Sequence, residues 1–383
     1  MLRLDALETR PLLRRSGLYE LVFAPDGSTL YATSGEAAIL RLPFDAAAGR
    51  RRGPESLIQI AGVPGVRGLS IAADGSRLAF AGISLSSQIW AQPVANDGAA
   101  SGPPRALTND TSYRNSLPAV SPDGTRIAYV SRRGGEPAHV WVMDLDGRNG
   151  VQLTADDSKD WMARWLPDGR RVAYLSRRDR SPGVWAVDIV TRREELLFGL
   201  DPARIPRSAP AIPRGSLAEV ELGPSMTRVA FSLISPPLGR RIVYVTGLDR
   251  FAPRAVTDGT ISAGYPAWSP DERRLAVEIK EGSSMHAAVV EVQSGAVRRL
   301  TNDRGQTWVR SWSPDGRRIA AAALRDGLWD LRGIDADTGE QKTITVAGPP
   351  NVYVRYPEWS PRGNLIVFER GEVRGNIWSL RVR

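Results

Sequence analysis

The chain has 383 residues and no cysteine, which excludes disulfides, thiolate nucleophiles and zinc–thiolate sites. Its net charge of +9 is carried by arginine, since the only lysines are Lys159, Lys280 and Lys342. No apolar run is long enough to span a bilayer as a helix, and the first twenty residues lack the basic-then-apolar pattern of a signal peptide.

Read in chain order, a five-residue phrase recurs: Phe23-Ala24-Pro25-Asp26-Gly27, Ile71-Ala72-Ala73-Asp74-Gly75, Val120-Ser121-Pro122-Asp123-Gly124 and Trp165-Leu166-Pro167-Asp168-Gly169. It continues as Leu222-Gly223-Pro224, Trp268-Ser269-Pro270-Asp271, Trp312-Ser313-Pro314-Asp315-Gly316 and Trp359-Ser360-Pro361-Arg362-Gly363. The Pro slots stand at 25, 73, 122, 167, 224, 270, 314 and 361, the spacing of one supersecondary unit repeated eight times. Ser, Pro, Asp and Gly in that order suit a type I turn, so the Asp is read as a turn former rather than a catalytic acid.

Apolar runs flank each turn, and the run after it alternates apolar with polar, as in Arg126-Ile127-Ala128-Tyr129-Val130; two antiparallel strands are predicted. A third strand carries Ile89-Trp90, Val140-Trp141, Val184-Trp185, Leu328-Trp329 or Ile377-Trp378, and a short fourth follows, such as Val151-Gln152-Leu153-Thr154. Four strands per repeat predict an all-β, eight-bladed β-propeller in one domain, with seven blades as the runner-up. The blades fall roughly at 16–60, 61–108, 109–154, 155–198, 217–257, 258–301, 302–345 and 346–383. The last repeat lacks a fourth strand, so residues 8–15 are expected to supply it and to remove an open sheet edge; deleting residues 1–15 would then lower the melting temperature sharply.

The W-S-P-D-G phrase, followed by R-[IL]-A-[YF] and by L-T-x-D at the end of several repeats, resembles the TolB-like, WD-repeat-like propellers of bacteria over essentially the whole chain. The resemblance implies a binding platform, sensor or scaffold, often periplasmic or behind a membrane anchor, so it favours the periplasm, with the cytoplasm as the alternative because no signal peptide is present. Such folds also serve as peptidase gates, so architecture does not fix activity.

Nine of the eleven Trp fall on the third strand or two residues before Pro and are expected to pack blades. Trp161 and Trp308 remain, six residues before the Pro slot, where the first strand begins at the mouth of the channel; Arg67 and Arg355 share that slot, with Tyr265 and Tyr356 one residue later. Together with Arg310 they are the candidate contacts for a peptide or small anionic ligand, by stacking and cation–π contact. Burial of the start of the first strand is an equally good account of the rings. Arg132, Arg133, Arg177 and Arg178 on the loop face are expected to attract an acidic partner. A Pro-rich stretch from Gly199 to Ser216 is either a lid over the mouth or a tolerated insertion. Paired arginines beside the turns, such as Arg273-Arg274, read as solvated edges rather than a nucleic-acid site.

The only histidines, His139 and His286, fall near third strands away from the channel, so no metal site or acid–base pair is expected. Asp110, Asp156, Asp157, Asp160, Asp258 and Asp303 follow the L-T phrases as turn caps, without calcium-loop spacing. A nucleophile elbow and phosphate-binding glycine loops are absent. The expectation is therefore a monomeric, non-catalytic platform without a cofactor that binds a protein, peptide or small ligand, with no nucleic acid and no membrane insertion. Its rivals are a channel-centred hydrolase or lyase and a detached output domain of a transcriptional regulator or kinase.

Overall fold

The computed structural model describes residues 18–33, 37–61, 63, 65–95, 97–110, 113–133, 137–176, 178, 183–199, 220–235, 239–250, 252–346 and 348–382. All its named elements are strands, and no described helix is long and apolar enough to cross a membrane. Two compact units result: the described residues up to Leu85 with those from Val373 onward, and Ser86–Glu372.

The repeated phrase behaves as its chemistry predicts. Gly124 N–H donates to the carbonyl of Ser121 at 2.8 Å, closing the turn, while the Ser121 hydroxyl donates to the Asp123 carboxylate at 2.6 Å and Thr125 N–H to the same oxygen at 3.0 Å. These bonds hold the Asp123 carboxyl below its usual range. The glycine takes the left-handed conformation, with φ of 72° at Gly124 and 67° at Gly316, where a Cβ is costly. Two repeats place Met226 and Glu272 there instead, at 58° and 54°.

The phrase's Trp ties one repeat to the one before it. Trp165 Nε1 donates to the Ala119 carbonyl at 3.1 Å, Trp268 Nε1 to that of Glu221 at 3.3 Å and Trp312 Nε1 to that of Ala267 at 2.9 Å. A buried indole N–H needs such a partner. Arg228 and Arg274 lie over Trp268 and Trp312 at 4.8 and 4.9 Å, and Arg274 also pairs with Asp337 at 2.9 Å; these turn-side arginines cover the packing Trp instead of standing as free solvated edges. Trp378, expected to pack, is 41% exposed.

Within Ser86–Glu372 six sheets of four strands follow one another. The first is Arg114–Val120, Arg126–Arg132, His139–Asp144 and Val151–Gln152; the second is Asp160–Trp165, Arg171–Ser176, Gly183–Asp188 and Glu194–Gly199. Val220–Leu222, Arg228–Ser235, Arg240–Gly247 and Arg254–Ala255 make the third. Ser262–Trp268, Arg274–Glu281, Ser284–Glu291 and Val297–Arg299 make the fourth, and Gln306–Trp312, Arg318–Arg325, Leu328–Asp335 and Gln341–Val346 the fifth. Apolar side chains fill the gaps between successive sheets: Phe198, Val220 and Phe231 share one cluster and Trp312, Val289 and Ile334 another.

The sixth sheet departs from the expected plan. Val352–Trp359 pairs with the first part of the long strand Leu365–Arg381, Val94 N–H donates to the Asn364 carbonyl at 3.1 Å, and Trp90–Ala91 pairs with Arg105–Ala106. Its third and fourth strands are thus residues 86–93 and 105–106, from the second repeat; residues 8–15, expected to close the ring, lie outside the described residues. In the other unit, Gly65–Ile71 pairs with the first part of Arg77–Pro93, and Val382 N–H donates to the Ser76 carbonyl at 2.9 Å. The second and last repeats have exchanged outer strands. Residues 83–88, Ile-Ser-Leu-Ser-Ser-Gln, offer no Gly, Pro, Asn or Asp to close a hairpin, so the strand runs straight on. Leu21–Phe23, Thr29–Thr33, Ala38–Asp45, Arg50–Arg51 and Ser56–Gln59 also belong to that unit.

Candidate functional site

The first strand of each sheet in Ser86–Glu372 contributes to one central cavity of about 330 Å³. Its walls are Leu117, Trp161, Met162, Val220, Tyr265, Val309, Arg310, Arg355 and Tyr356, with Trp308 and Glu278. The device that turns these side chains inward is local. The pairing of first and second strands slips between Ala128 and Val130, Trp161 and Arg164, Gly264 and Ala267, Val309 and Ser311, and Arg355 and Glu358. Four of these bulges hold a non-glycine residue in the left-handed region: Leu117 (54°), Met162 (60°), Tyr265 (52°) and Tyr356 (53°). All four stand five residues before the Pro slot. A bulge re-aims a side chain, and a left-handed non-glycine costs on the order of 1–3 kcal/mol, which concentrates at functional sites.

Six of the sequence-derived candidates therefore meet in one place: Trp161, Trp308, Tyr265, Tyr356, Arg310 and Arg355. Trp308 stacks on Trp329 at 4.9 Å and 20°, and Arg355 lies 5.1 Å from the Trp329 ring and 5.0 Å from that of Tyr353. Tyr265 is 44% exposed and forms the accessible part of the wall. The rings therefore both seal the first strands and line the cavity.

The others are elsewhere. Arg67 belongs to the other unit, 3.8 Å over the Tyr19 ring. Arg133 lies 3.5 Å over Trp141 and 4.8 Å over Tyr113. Arg178 is bound to Asp156 at 2.8 Å and to Glu194, and stacks over Trp185 at 4.6 Å. Arg132 is exposed at the end of its strand, and Arg177 and residues 200–216 lie outside the described residues.

Apart from Arg310, sequence reasoning missed the charges beneath the cavity. Arg164 reaches Glu221 at 2.9 Å and Glu358 at 3.5 Å, and Arg310 faces Glu221 at 3.7 Å. All four side chains are less than one fifth exposed. Burial pulls the Arg164 pKa down, but Glu221 and Glu358 together lift it above its usual value; burial pushes Glu358 up against the pull of Arg164 and Arg310. Arg310 borders both the central cavity and a second one of about 430 Å³ on the turn side, whose lining includes Arg164, Glu221 and Glu358. Its pKa is lowered by burial and by Arg164. Three of the four charges occupy the slot three before Pro, where other repeats carry Ala119, Ala267 and Ser311. Charges at an inward slot that is otherwise small were the available signal.

Glu278, on the second strand of the fourth sheet, was missed too. It is 3% exposed, its Oε2 has no hydrogen-bond partner, and it lines the central cavity. Burial raises its pKa well above the glutamate range, with Arg241 and Arg310 pulling the other way.

One cluster has metal-ligand composition, contrary to the expectation for the histidines: ligand atoms of His139, Asp156 and Asp160 lie within 4.8 Å of one another. Arg178 already places its guanidinium on Asp156, and Thr154 donates to Asp160 at 2.6 Å. Thr154 in turn accepts from Val140 N–H at 3.0 Å, and Thr257 and Thr301 repeat that bond to Val243 and Ala287. The cluster is built on a repeat-wide strand clasp.

A profile described as the TolB beta propeller domain matches residues 222–381. The matched part of the chain is a TolB-like β-propeller domain. Among solved structures it is similar to the putative TolB from Agrobacterium tumefaciens, at 16% identity and a TM-score of 0.55, covering 75% of this chain and 99% of that one. It is similar also to TolB from Acinetobacter baumannii, at 17% identity and a TM-score of 0.50, covering 80% of each chain. Hydrazine synthase from Kuenenia stuttgartiensis shares the fold at 12% identity and a TM-score of 0.50, over 76% of this chain and 47% of that one. No curated protein matches the sequence. At these identities the likeness concerns the fold.

Proposed function

We propose that this TolB-like chain is a non-catalytic propeller that binds a peptide, protein segment or small ligand at its central cavity. Residues 86–372 act as a closed ring of six blades rather than the eight, or seven, expected from the repeat count, with residues 86–93 and 105–106 as the closing strands. The six four-stranded sheets that follow one another within Ser86–Glu372 support six. The observation that carries the binding reading is the convergence of six first strands on one cavity walled by Trp, Tyr and Arg, with five of them bulged and four of those bulges holding a left-handed residue. Aromatic and arginine groups in a pocket are the residue types that dominate binding energy. Arg178 is neutralised by Asp156 and Glu194, so an acidic partner would meet Arg132 and Arg355 instead. The test is capture of partner from the native organism by the wild type and by a Tyr265→Ala, Arg355→Ala double variant of unchanged circular dichroism. Loss of capture in the variant is expected, and equal capture would move the site.

A second reading rests on Glu278. A carboxyl group that burial keeps protonated is the chemistry of a general acid, as a channel-centred hydrolase or lyase requires. Turnover of lactones or oligosaccharides by the wild type that Glu278→Gln abolishes would establish it; a wild type inert to both counts against it.

A further inference from the structure

The floor of the central cavity carries polar atoms that the protein itself leaves unmatched. Arg310 turns Nη1 toward Glu221 at 3.7 Å, while Nε and Nη2 are buried without a hydrogen-bond partner. Those two N–H groups form one edge of the planar guanidinium, the edge that grips a carboxylate with two parallel bonds. Unmade bonds to a buried cation are costly, about 1.5–3 kcal/mol each when formed, so the arrangement is that of a receptor for an anion. Glu278, likewise buried with Oε2 unmatched, lines the same cavity, and a protonated carboxyl there donates to an anion instead of repelling it. The remaining wall is Leu117, Met162, Val220, Trp161, Trp308 and Tyr265, a surface for a flat apolar body. The volume of about 330 Å³ lies at the small end for ligand pockets and fits a compact molecule rather than a folded segment.

We propose that the central cavity binds a small aromatic carboxylate, with its carboxylate held by the Nε and Nη2 of Arg310 beside Glu278 and its ring against Trp161, Trp308 and Tyr265. This rests on the binding reading of that cavity and adds the ligand class. Arg310 is 12% exposed and pairs with Glu221, with Arg164 and Glu358 also acting on its charge. A neutral amide of the same shape offers one acceptor oxygen to this two-donor edge where a carboxylate offers two, and that is the source of selectivity.

The experiment is isothermal titration calorimetry of the full chain with 2-naphthoate and with 2-naphthamide, which share a ring system and differ in charge. Naphthoate is expected to bind at least about tenfold more tightly, and Arg310→Lys, which keeps the charge near Glu221 but lacks the two-donor edge, to lose that preference. Equal affinities, or no heat from naphthoate up to about 5 mM, would overturn the proposal without need of any variant. A partner captured by the wild type and lost in the Tyr265→Ala, Arg355→Ala variant, together with inert naphthoate, would refute the ligand class and leave the binding platform standing. Naphthoate bound selectively with partner capture unchanged in that variant would do the reverse.

Discussion

Replacing Arg164 by Leu tests whether the charges beneath the cavity act as one buried unit. Arg164 stands 2.9 Å from Glu221 and 3.5 Å from Glu358, with the three side chains 15, 12 and 19% exposed. At an effective dielectric of about 20 these separations correspond to gross attractions of roughly 5–6 and about 5 kcal/mol. Desolvation offsets most of that in the intact group, but removal of the cation leaves two carboxylates in the interior with Arg310 alone nearby, and breaking a buried pair in this way costs about 3–5 kcal/mol. The loss must depend on pH. Burial already raises Glu358, and without Arg164 its folded-state pKa climbs further above the unfolded value of about 4.3. A carboxyl raised in the folded state takes up its proton on folding, so stability falls as pH rises from the unfolded to the folded pKa. Urea unfolding followed by Trp fluorescence should therefore show the full deficit near about pH 8 and a smaller one near about pH 5, and adding Glu358→Gln should restore part of it. A deficit below about 1 kcal/mol, or one equal at the two pH values, would refute the buried-unit argument.

Glu278→Gln should leave the fold intact and stabilise it at alkaline pH. The Glu278 carboxyl, faced by Arg241, Tyr265 and Arg310, is raised by burial, so the wild type loses stability as pH climbs toward its folded pKa and the amide variant does not; parallel melting curves of the two proteins across pH would contradict this. Gly147→Ala should destabilise by about 2 kcal/mol or more in thermal unfolding, since φ is 93° and a Cβ would stand 2.2 Å from the Leu107 carbonyl oxygen. Gly239→Ala, with φ of 59° and open space around it, should cost only about 1 kcal/mol. Trp90→Ala removes a ring that packs on the cluster of Trp359 and Phe368 and lies under Arg370 at 4.8 Å. Its cost should approach about 3–5 kcal/mol, and near-wild-type stability would count against residues 86–93 as the closing strand.

The parts of the molecule written in local chemistry were legible. The Ser-Pro-Asp-Gly turns, the Trp that ties sheets together and six of the cavity residues follow from period and residue type. The exchange of outer strands was not, because Ile89-Trp90 and Ile377-Trp378 satisfy the third-strand pattern in whichever sheet they join; only the turn-poor stretch 83–88 hinted that no hairpin forms. Arg67 was expected at the mouth because its repeat looks like the others, whereas it belongs to the other unit. Glu278 escaped notice because it stands on a second strand, where an alternating polar residue reads as solvent-facing. Arg164, Glu221 and Glu358 were hidden for a related reason, since a single charge in a strand is ordinary until three repeats are aligned and the same slot elsewhere is found to hold Ala or Ser.

The left-handed position that four repeats carry five residues before Pro separates what folds the protein from what the cavity presents. Hydrogen bonding resumes on both sides of the bulge, and that slot holds Leu117, Met162, Tyr265 and Tyr356 in those four repeats. Substitution there changes the lining of the cavity while the turn, the Trp clasp and the core between sheets stay as they are. The cavity lining can therefore change one strand at a time, by single replacements at a known address.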